Sequence, residues 1–197
     1  MNYFSLLIGV SIGILIFLVM VIVLWKPKPF DFGGKTFLIT GGSEGIGLEM
    51  ARILRKKKGC NLILVARNVA KLEKAKAELE SEVSGSERWI RCISLDVSAD
   101  FEILSSTFED ELEGETVHGI ICNAGVSIAG DVRSLDPSEF ERMMRINYLG
   151  SILVVKALLD LNIFTQLNGR IAFVSSQAGQ LAIWGYGAYG ASKYALR

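Results

Sequence analysis

The hydrophobic pattern changes character once, near residue 26. From Tyr3 to Trp25 the chain runs 23 residues without a charge, 16 of them Leu, Ile, Phe or Val. A helix of that length reaches roughly 34 Å at about 1.5 Å per residue, enough to cross a hydrocarbon core about 30 Å thick with some tilt. At roughly −0.3 to −0.6 kcal/mol per such residue, insertion is favourable by about 5 to 10 kcal/mol at most. A cleaved signal peptide is the competing reading. Against it, no basic segment precedes the run, the run is longer than a signal core, and Trp25-Lys26-Pro27 stands where small residues would be cut. The pattern therefore predicts a retained anchor over residues 1–25 and a stiff spacer over 26–34 that begins Lys26-Pro27-Lys28-Pro29. Lys26 and Lys28 follow the span and nothing basic but the amino terminus precedes it, which places the rest of the chain in the cytosol.

Beyond Gly33, short β-branched runs alternate with longer amphipathic ones. Strands are predicted at Thr36–Thr40, Asn61–Ala66, Trp89–Ser94, Gly119–Cys122 and Arg170–Ser175, and their nearly continuous apolar character predicts a parallel sheet buried on both faces. Helices are predicted at Ile46–Lys57, Val69–Val83, Phe101–Leu112 and Pro137–Leu161, the last opened by Asp136 as N-cap with Pro137 at its first position. The alternation predicts an α/β domain over residues 35–197 with a doubly wound parallel sheet.

Charge narrows the function classes. The 21 Lys+Arg balance 21 Asp+Glu, all at or after Lys26, so there is no electrostatic footprint for nucleic acid. Cys60, Cys92 and Cys122 are widely spaced and indicate neither a disulfide framework nor a zinc site; they read as reduced thiols. His118 is the only histidine and reads as a loop residue, so histidine-based triads have little to work with and no metal is expected.

Immediately after the first strand comes Thr40-Gly41-Gly42-Ser43-Glu44-Gly45-Ile46-Gly47, a glycine-rich turn that enters a helix. Glycines let a backbone turn tightly and approach phosphates, whose charge is met by unpaired N–H groups and the helix dipole. A plain structural turn is the alternative. Arg67 stands 20 residues after Gly47, at the end of the second strand, where an acceptor of ribose hydroxyls would be acidic. Arg67 there favours a 2'-phosphate and hence NADPH. Lys71 could add a second positive charge, although a solvated helix face explains it equally well.

Further along, Tyr189-Gly190-Ala191-Ser192-Lys193 places Tyr and Lys four apart, with Ser176 13 residues before the tyrosine. Together with the glycine turn and Asn123-Ala124-Gly125 after the fourth strand, these strings resemble the short-chain dehydrogenase/reductase family over residues 35–197. The resemblance implies a Rossmann-like fold with strand order 3-2-1-4-5. It also implies that Tyr189 delivers a proton, Ser176 holds the substrate carbonyl, and Lys193 stabilises the phenolate and bonds the nicotinamide ribose. Asn147 resembles the helix asparagine that holds a relay water. A phenol ordinarily ionises near pH 10, so an ammonium one helical turn away is the physical means of making it useful at neutral pH. Ser176 is preferred to the adjacent Ser175 on spacing, and Tyr186, with Gly190 four residues on, reads as a substrate-cleft wall. In the cofactor site the resemblance places Gly41, Ser43, Glu44, Gly45, Ile46, Arg67, Lys71, Asp96, Asn123, Tyr189 and Lys193. Asp96 would contact adenine or cap a helix, and Asn123 would contact cofactor or satisfy buried backbone groups. Glu44 departs from the small residue expected there, and its charge would oppose a phosphate.

Phe140–Ser151 and Ser175–Leu181, with the anchor and Lys-Pro-Lys-Pro, are similar to members of this family that reduce long-chain keto-amine lipids. That implies NADPH-dependent reduction of a 3-keto group at the cytosolic face of the endoplasmic reticulum membrane. A membrane-tethered hydroxysteroid or retinoid dehydrogenase, and a non-catalytic remnant, are the alternatives. The resemblance also implies a domain truncated after residue 197, lacking two further strands and a substrate lid, with the fifth strand left as an unpaired apolar edge and little turnover by itself.

Overall fold

Five strands form one parallel sheet in the order β3-β2-β1-β4-β5: Thr36–Thr40 (β1), Asn61–Ala66 (β2), Ile90–Ser94 (β3), Gly119–Cys122 (β4) and Arg170–Phe173 (β5). The computed structural model describes residues 3–24, 29–83, 87–165 and 168–197. They fall into two units, Met1–Asp31 and Phe32–Arg197.

In the first unit Tyr3–Leu24 form α1, a helix without a charged residue. Side chains in it are described at Tyr3 and over 11–20, and among the described residues no helix is long and apolar enough to cross a membrane. The remaining side chains of the expected anchor, and residues 26–28 of the expected spacer, lie outside the described residues.

In the second unit, β1 pairs with β2 from Thr36↔Asn61 to Thr40↔Val65 and with β4 from Phe37↔Gly119 to Thr40↔Cys122. Chain order reverses at β1, so the ends of β1 and β4 flank a crevice where open α/β sheets bind ligands. The connecting helices are Gly45–Lys58 (α2), Val69–Ser81 (α3) and Phe101–Glu111 (α4). Gly59 ends α2 in the left-handed conformation, φ 64°, donating its N–H to the Leu54 and Arg55 carbonyls after a basic last turn that suits the helix dipole. Asn68 opens α3 by accepting the Lys71 N–H at 2.9 Å. Arg52 on α2 ties the two helices by pairing with Glu78 and, at 2.6 Å, with Glu82. Leu38, Ile63, Val65, Ile93, Leu104, Phe108, Ile120, Val154 and Leu158 belong to one buried cluster between the sheet and its helices.

Two expectations change. The single helix expected over Pro137–Leu161 is three pieces: Pro137–Met144 (α5), a π turn at Arg145–Leu149, and Gly150–Asp160 (α6). Periodicity could not reveal the wide turn, because tertiary bonds hold it. Arg145 donates to the Ser98 and Ala99 carbonyls at 2.9 and 3.0 Å, and Asn147 bonds the backbone of Val126. The second change is at β5, which ends at Phe173 and not at Ser175; it is exposed along its whole length, as expected of an unpaired edge, so the burial expected of the sheet does not extend to it. It pairs with β4 alone, so its apolar residues reflect strand propensity and not enclosure. The chain leaves the strand at Val174 and Ser175, both bonded to a lysine on the last helix, Gly187–Ala195 (α7).

Candidate active site

A cavity of about 740 Å³ opens at the ends of β1 to β4, within the range of about 300–1,000 Å³ usual for ligand clefts. Gly41, Ser43, Glu44 and Ile46 form one wall, from the turn between β1 and α2. Gly41 has φ 66°, and its N–H donates to the Val65 carbonyl at 2.8 Å, folding the turn back over β2. A β-carbon on Gly47 would collide with the Gly41 carbonyl oxygen and with the Asn123 amide, so only glycine lets the helix start so close to the turn. Gly45, the first residue of α2, has φ 57°. It does not itself line the cavity.

Asn123 also lines the cavity, yet its amide works on the turn: Nδ2 donates to the Thr40 and Gly41 carbonyls at 3.1 and 3.2 Å. Thr40 Oγ1 accepts the Asn123 and Ala124 N–H groups, each at 3.0 Å. The turn is thus held in shape by β4. Of the two roles considered for Asn123, the structure displays the backbone-satisfying one.

Four charges stand at the opposite end. Lys71 Nζ lies 2.8 Å from Glu44 Oε2, and Arg67 Nη1 lies 3.6 Å from Asp96 Oδ2. Asp96 does not cap α4, whose N-cap is Asp100; its Oδ1 instead accepts the Ser98 N–H and hydroxyl at 2.9 and 2.7 Å. Burial pushes the Asp96 carboxyl up, but the two Ser98 donors and the Arg67 guanidinium outweigh it and hold it below the usual carboxylate range. The rim therefore carries two cations and two anions.

Asn147, Ser176, Tyr189 and Lys193 do not line the cavity themselves; Asn147 and Lys193 stand behind its wall at Gly125 and Val126. Asn147, fully buried in the π turn, accepts the Val126 N–H at 2.8 Å and donates to the Val126 carbonyl and Ser192 Oγ, each at 2.9 Å. Ser192 in turn donates to the Tyr189 carbonyl at 2.7 Å, so π turn, cavity wall and α7 form one chain of bonds. Lys193 is buried and donates from Nζ to the Val174 carbonyl at 2.8 Å; burial lowers its pKa from the ordinary lysine value. A β-carbon on Gly125, which lines the cavity, would lie 3.1 Å from Asn147 Oδ1 and 3.3 Å from Lys193 Nζ. Lys193 of α7 thus reaches the back of the cavity wall at Gly125.

Ser175 and Ser176 are separated by their bonds. Ser175 donates its hydroxyl to the Lys193 carbonyl at 3.0 Å, whereas Ser176 Oγ accepts the Ala178 N–H at 3.2 Å and keeps its proton to donate. The Tyr189 ring stands edge-on to Tyr186, centroids 5.9 Å apart. Tyr186 lines a second, mostly apolar groove of about 530 Å³ with Leu181, Ile183, Ala191 and Tyr194.

Sequence reasoning did not assign roles to Ser192 or to the Val126 and Val174 backbone groups. Ser192 stood inside a string already singled out, but a hydroxyl that bridges two main-chain segments has no signature of its own. Burial raises the thiol pKa of Cys60 and Cys92 to about 11 and of Cys122 to about 12, which leaves them unreactive at neutral pH. His118 Nδ1 accepts the Thr36 N–H at 3.3 Å. Among the described residues, no three His, Cys, Asp or Glu side chains are grouped to hold a metal.

Residues 35–197 match the short chain dehydrogenase family. The chain is 41% identical over 187 residues to the 3-ketodihydrosphingosine reductase of Bos taurus and 39% identical over the same length to that of Mus musculus, in each case 94% of this chain and 56% of the relative. It thus spans about half the length of the curated relatives it matches. Among solved structures, an NAD+-bound xylitol dehydrogenase is 30% identical with a TM-score of 0.74, covering 85% of this chain and 62% of that one. An alcohol dehydrogenase from Thermococcus sibiricus complexed with 5-hydroxy-NADP is 31% identical with a TM-score of 0.72, covering 82% and 66%.

Proposed function

The chain belongs to the short-chain dehydrogenase family, and on that footing we propose that it reduces the 3-keto group of 3-ketodihydrosphingosine to the alcohol, with NADPH as reductant. The observation that carries the reading is the meeting of Lys193 Nζ with the cavity wall at Gly125, which joins a dinucleotide cradle to a Tyr-Lys helix. Support for the cofactor comes from the glycine turn, packed so closely at Gly41 and Gly47 that a β-carbon would collide there, and from Arg67 and Lys71 in the cavity lining, cations of the kind a 2'-phosphate would need.

The bound dinucleotide supplies the hydride. Gly41, Ser43 and Ile46, which line the cavity at the start of α2, would hold the pyrophosphate, with Gly45 shaping the turn between them, and Asp96 would offer Oδ2 at the adenosine end. Ser176 donates a hydrogen bond to the substrate carbonyl oxygen and fixes its orientation. Tyr189 gives that oxygen a proton as it gains negative charge. Lys193, kept close by Val174, stabilises the phenolate that Tyr189 becomes and bonds the nicotinamide ribose. Asn147, whose side chain is engaged by Val126 and Ser192, acts by fixing the π turn against the cavity.

The apolar groove beside Tyr186 supports a long hydrocarbon tail on the substrate. The uncharged residues 3–25, with Lys26 and Lys28 behind them, support attachment to the endoplasmic reticulum membrane with the site facing the cytosol. Carbonate extraction of membranes should leave the protein in the pellet; its release, or a new amino terminus near residue 26, overturns the attachment.

The deciding experiment incubates the chain with NADPH and either 3-ketodihydrosphingosine or a keto-steroid and follows product by mass spectrometry. The lipid alcohol is expected, and Tyr189→Phe should lower its rate by about 10²- to 10⁴-fold with NADPH binding retained. Steroid product alone, or product unaffected by Tyr189→Phe, overturns the reading.

A further inference from the structure

The adenosine end of the cavity carries an acid where a phosphate would need cations. Glu44 is the N-cap residue of α2, extended at φ −160° and ψ 169°, and its side chain makes no capping bond. Its carboxylate reaches across the mouth of the cavity to Lys71 Nζ at 2.8 Å, both groups at least half exposed. Asp96 is different in kind. One of its oxygens is tied down by Ser98, and its other oxygen faces Arg67 at a looser 3.6 Å. Arg67 therefore remains available to a phosphate, whereas Lys71 is already held by an anion that nothing else restrains.

We propose that Glu44 is a specificity-determining residue of this cavity: by holding the Lys71 ammonium it withholds one of the two cations from a 2'-phosphate, and so limits the preference for NADPH over NADH. A 2'-phosphate must displace the Glu44 carboxylate from Lys71 before it can pair with that ammonium. An unphosphorylated ribose faces no such requirement. The inference rests on reading the cavity as a nicotinamide-dinucleotide site.

The test is titration of the whole chain with NADPH, NADH and adenosine 2',5'-bisphosphate, followed by calorimetry, for the wild type, Glu44→Gln, Lys71→Met and the double variant. Both positions are exposed, so folding is retained. Glu44→Gln should tighten NADPH and the bisphosphate by about two- to fivefold, the scale of one exposed ion pair, and leave NADH within twofold. In the Lys71→Met background the gain should disappear. An equal gain for NADH, no gain for either phosphate ligand, or a gain that survives without Lys71 overturns the role of Glu44 while leaving the dinucleotide site standing. Failure of the wild type to bind either dinucleotide overturns the cavity reading and the inference with it.

Discussion

Single residues at this site act through charge and through the cost of burying it. Arg67 is expected to read the 2'-phosphate by a charge-assisted contact worth roughly 1.5 to 3 kcal/mol, so Arg67→Ala should reduce the NADPH preference about 10- to 150-fold. Dissociation constants for NADPH and NADH check this, and an unchanged ratio would mean another group reads the phosphate. Lys193 makes a prediction about pH. Burial lowers its folded pKa below the ordinary 10.5, so the unfolded chain binds more protons between those two values. Stability should therefore rise with pH across that window as the cost of keeping the buried ammonium charged is relieved. Lys193→Met should lack this rise, which melting curves from neutral pH to about pH 10 can show. Arg67, Lys71 and Glu44 were legible from their distance to the glycine turn, because that spacing follows from one strand and one helix. Ser192 and Thr40 were not, since their partners, the Tyr189 carbonyl and the Asn123 and Ala124 N–H groups, are backbone atoms that any residue carries.

At the scale of elements, the glycine turn and the π turn are shaped by contacts from elsewhere in the fold. Gly47→Ala would force α2 away from the Gly41 carbonyl, at about 1–3 kcal/mol of overpacking, and dinucleotide binding should fall with it. Calorimetry and thermal melting together check this. Asn147→Ala leaves the Val126 N–H and carbonyl without their partner, and the protein should lose at least about 1–3 kcal/mol, seen as a lower urea midpoint. The strands were legible to within two residues at each end, since five largely apolar runs between turn signals leave little choice. The break of the long helix was not. Its apolar residues keep a helical spacing on both sides of Arg145–Leu149, and the wide turn is imposed by Val126, Ser98 and Ala99 from other parts of the chain. Wide turns of this kind recur at functional sites, and here one carries Asn147.

For the molecule as a whole, the βαβ rhythm made a doubly wound sheet legible, and the order of its strands followed from the family resemblance. The exposure of β5 was legible with it, because that order places the fifth strand at the edge of the sheet. The same order has a consequence in time. β1 meets β2 as soon as residues 61–66 are made, but its other edge is closed only by Gly119–Cys122, and Asn123 shapes the glycine turn only after that. At the usual pace of synthesis, about 5–20 residues per second, the stretch from the end of β1 to the end of β4 takes roughly 4 to 16 s to appear. For that long a ribosome-bound chain presents Leu38 and Ile39 on an unclosed strand, and its glycine turn lacks the Asn123 bonds that shape it.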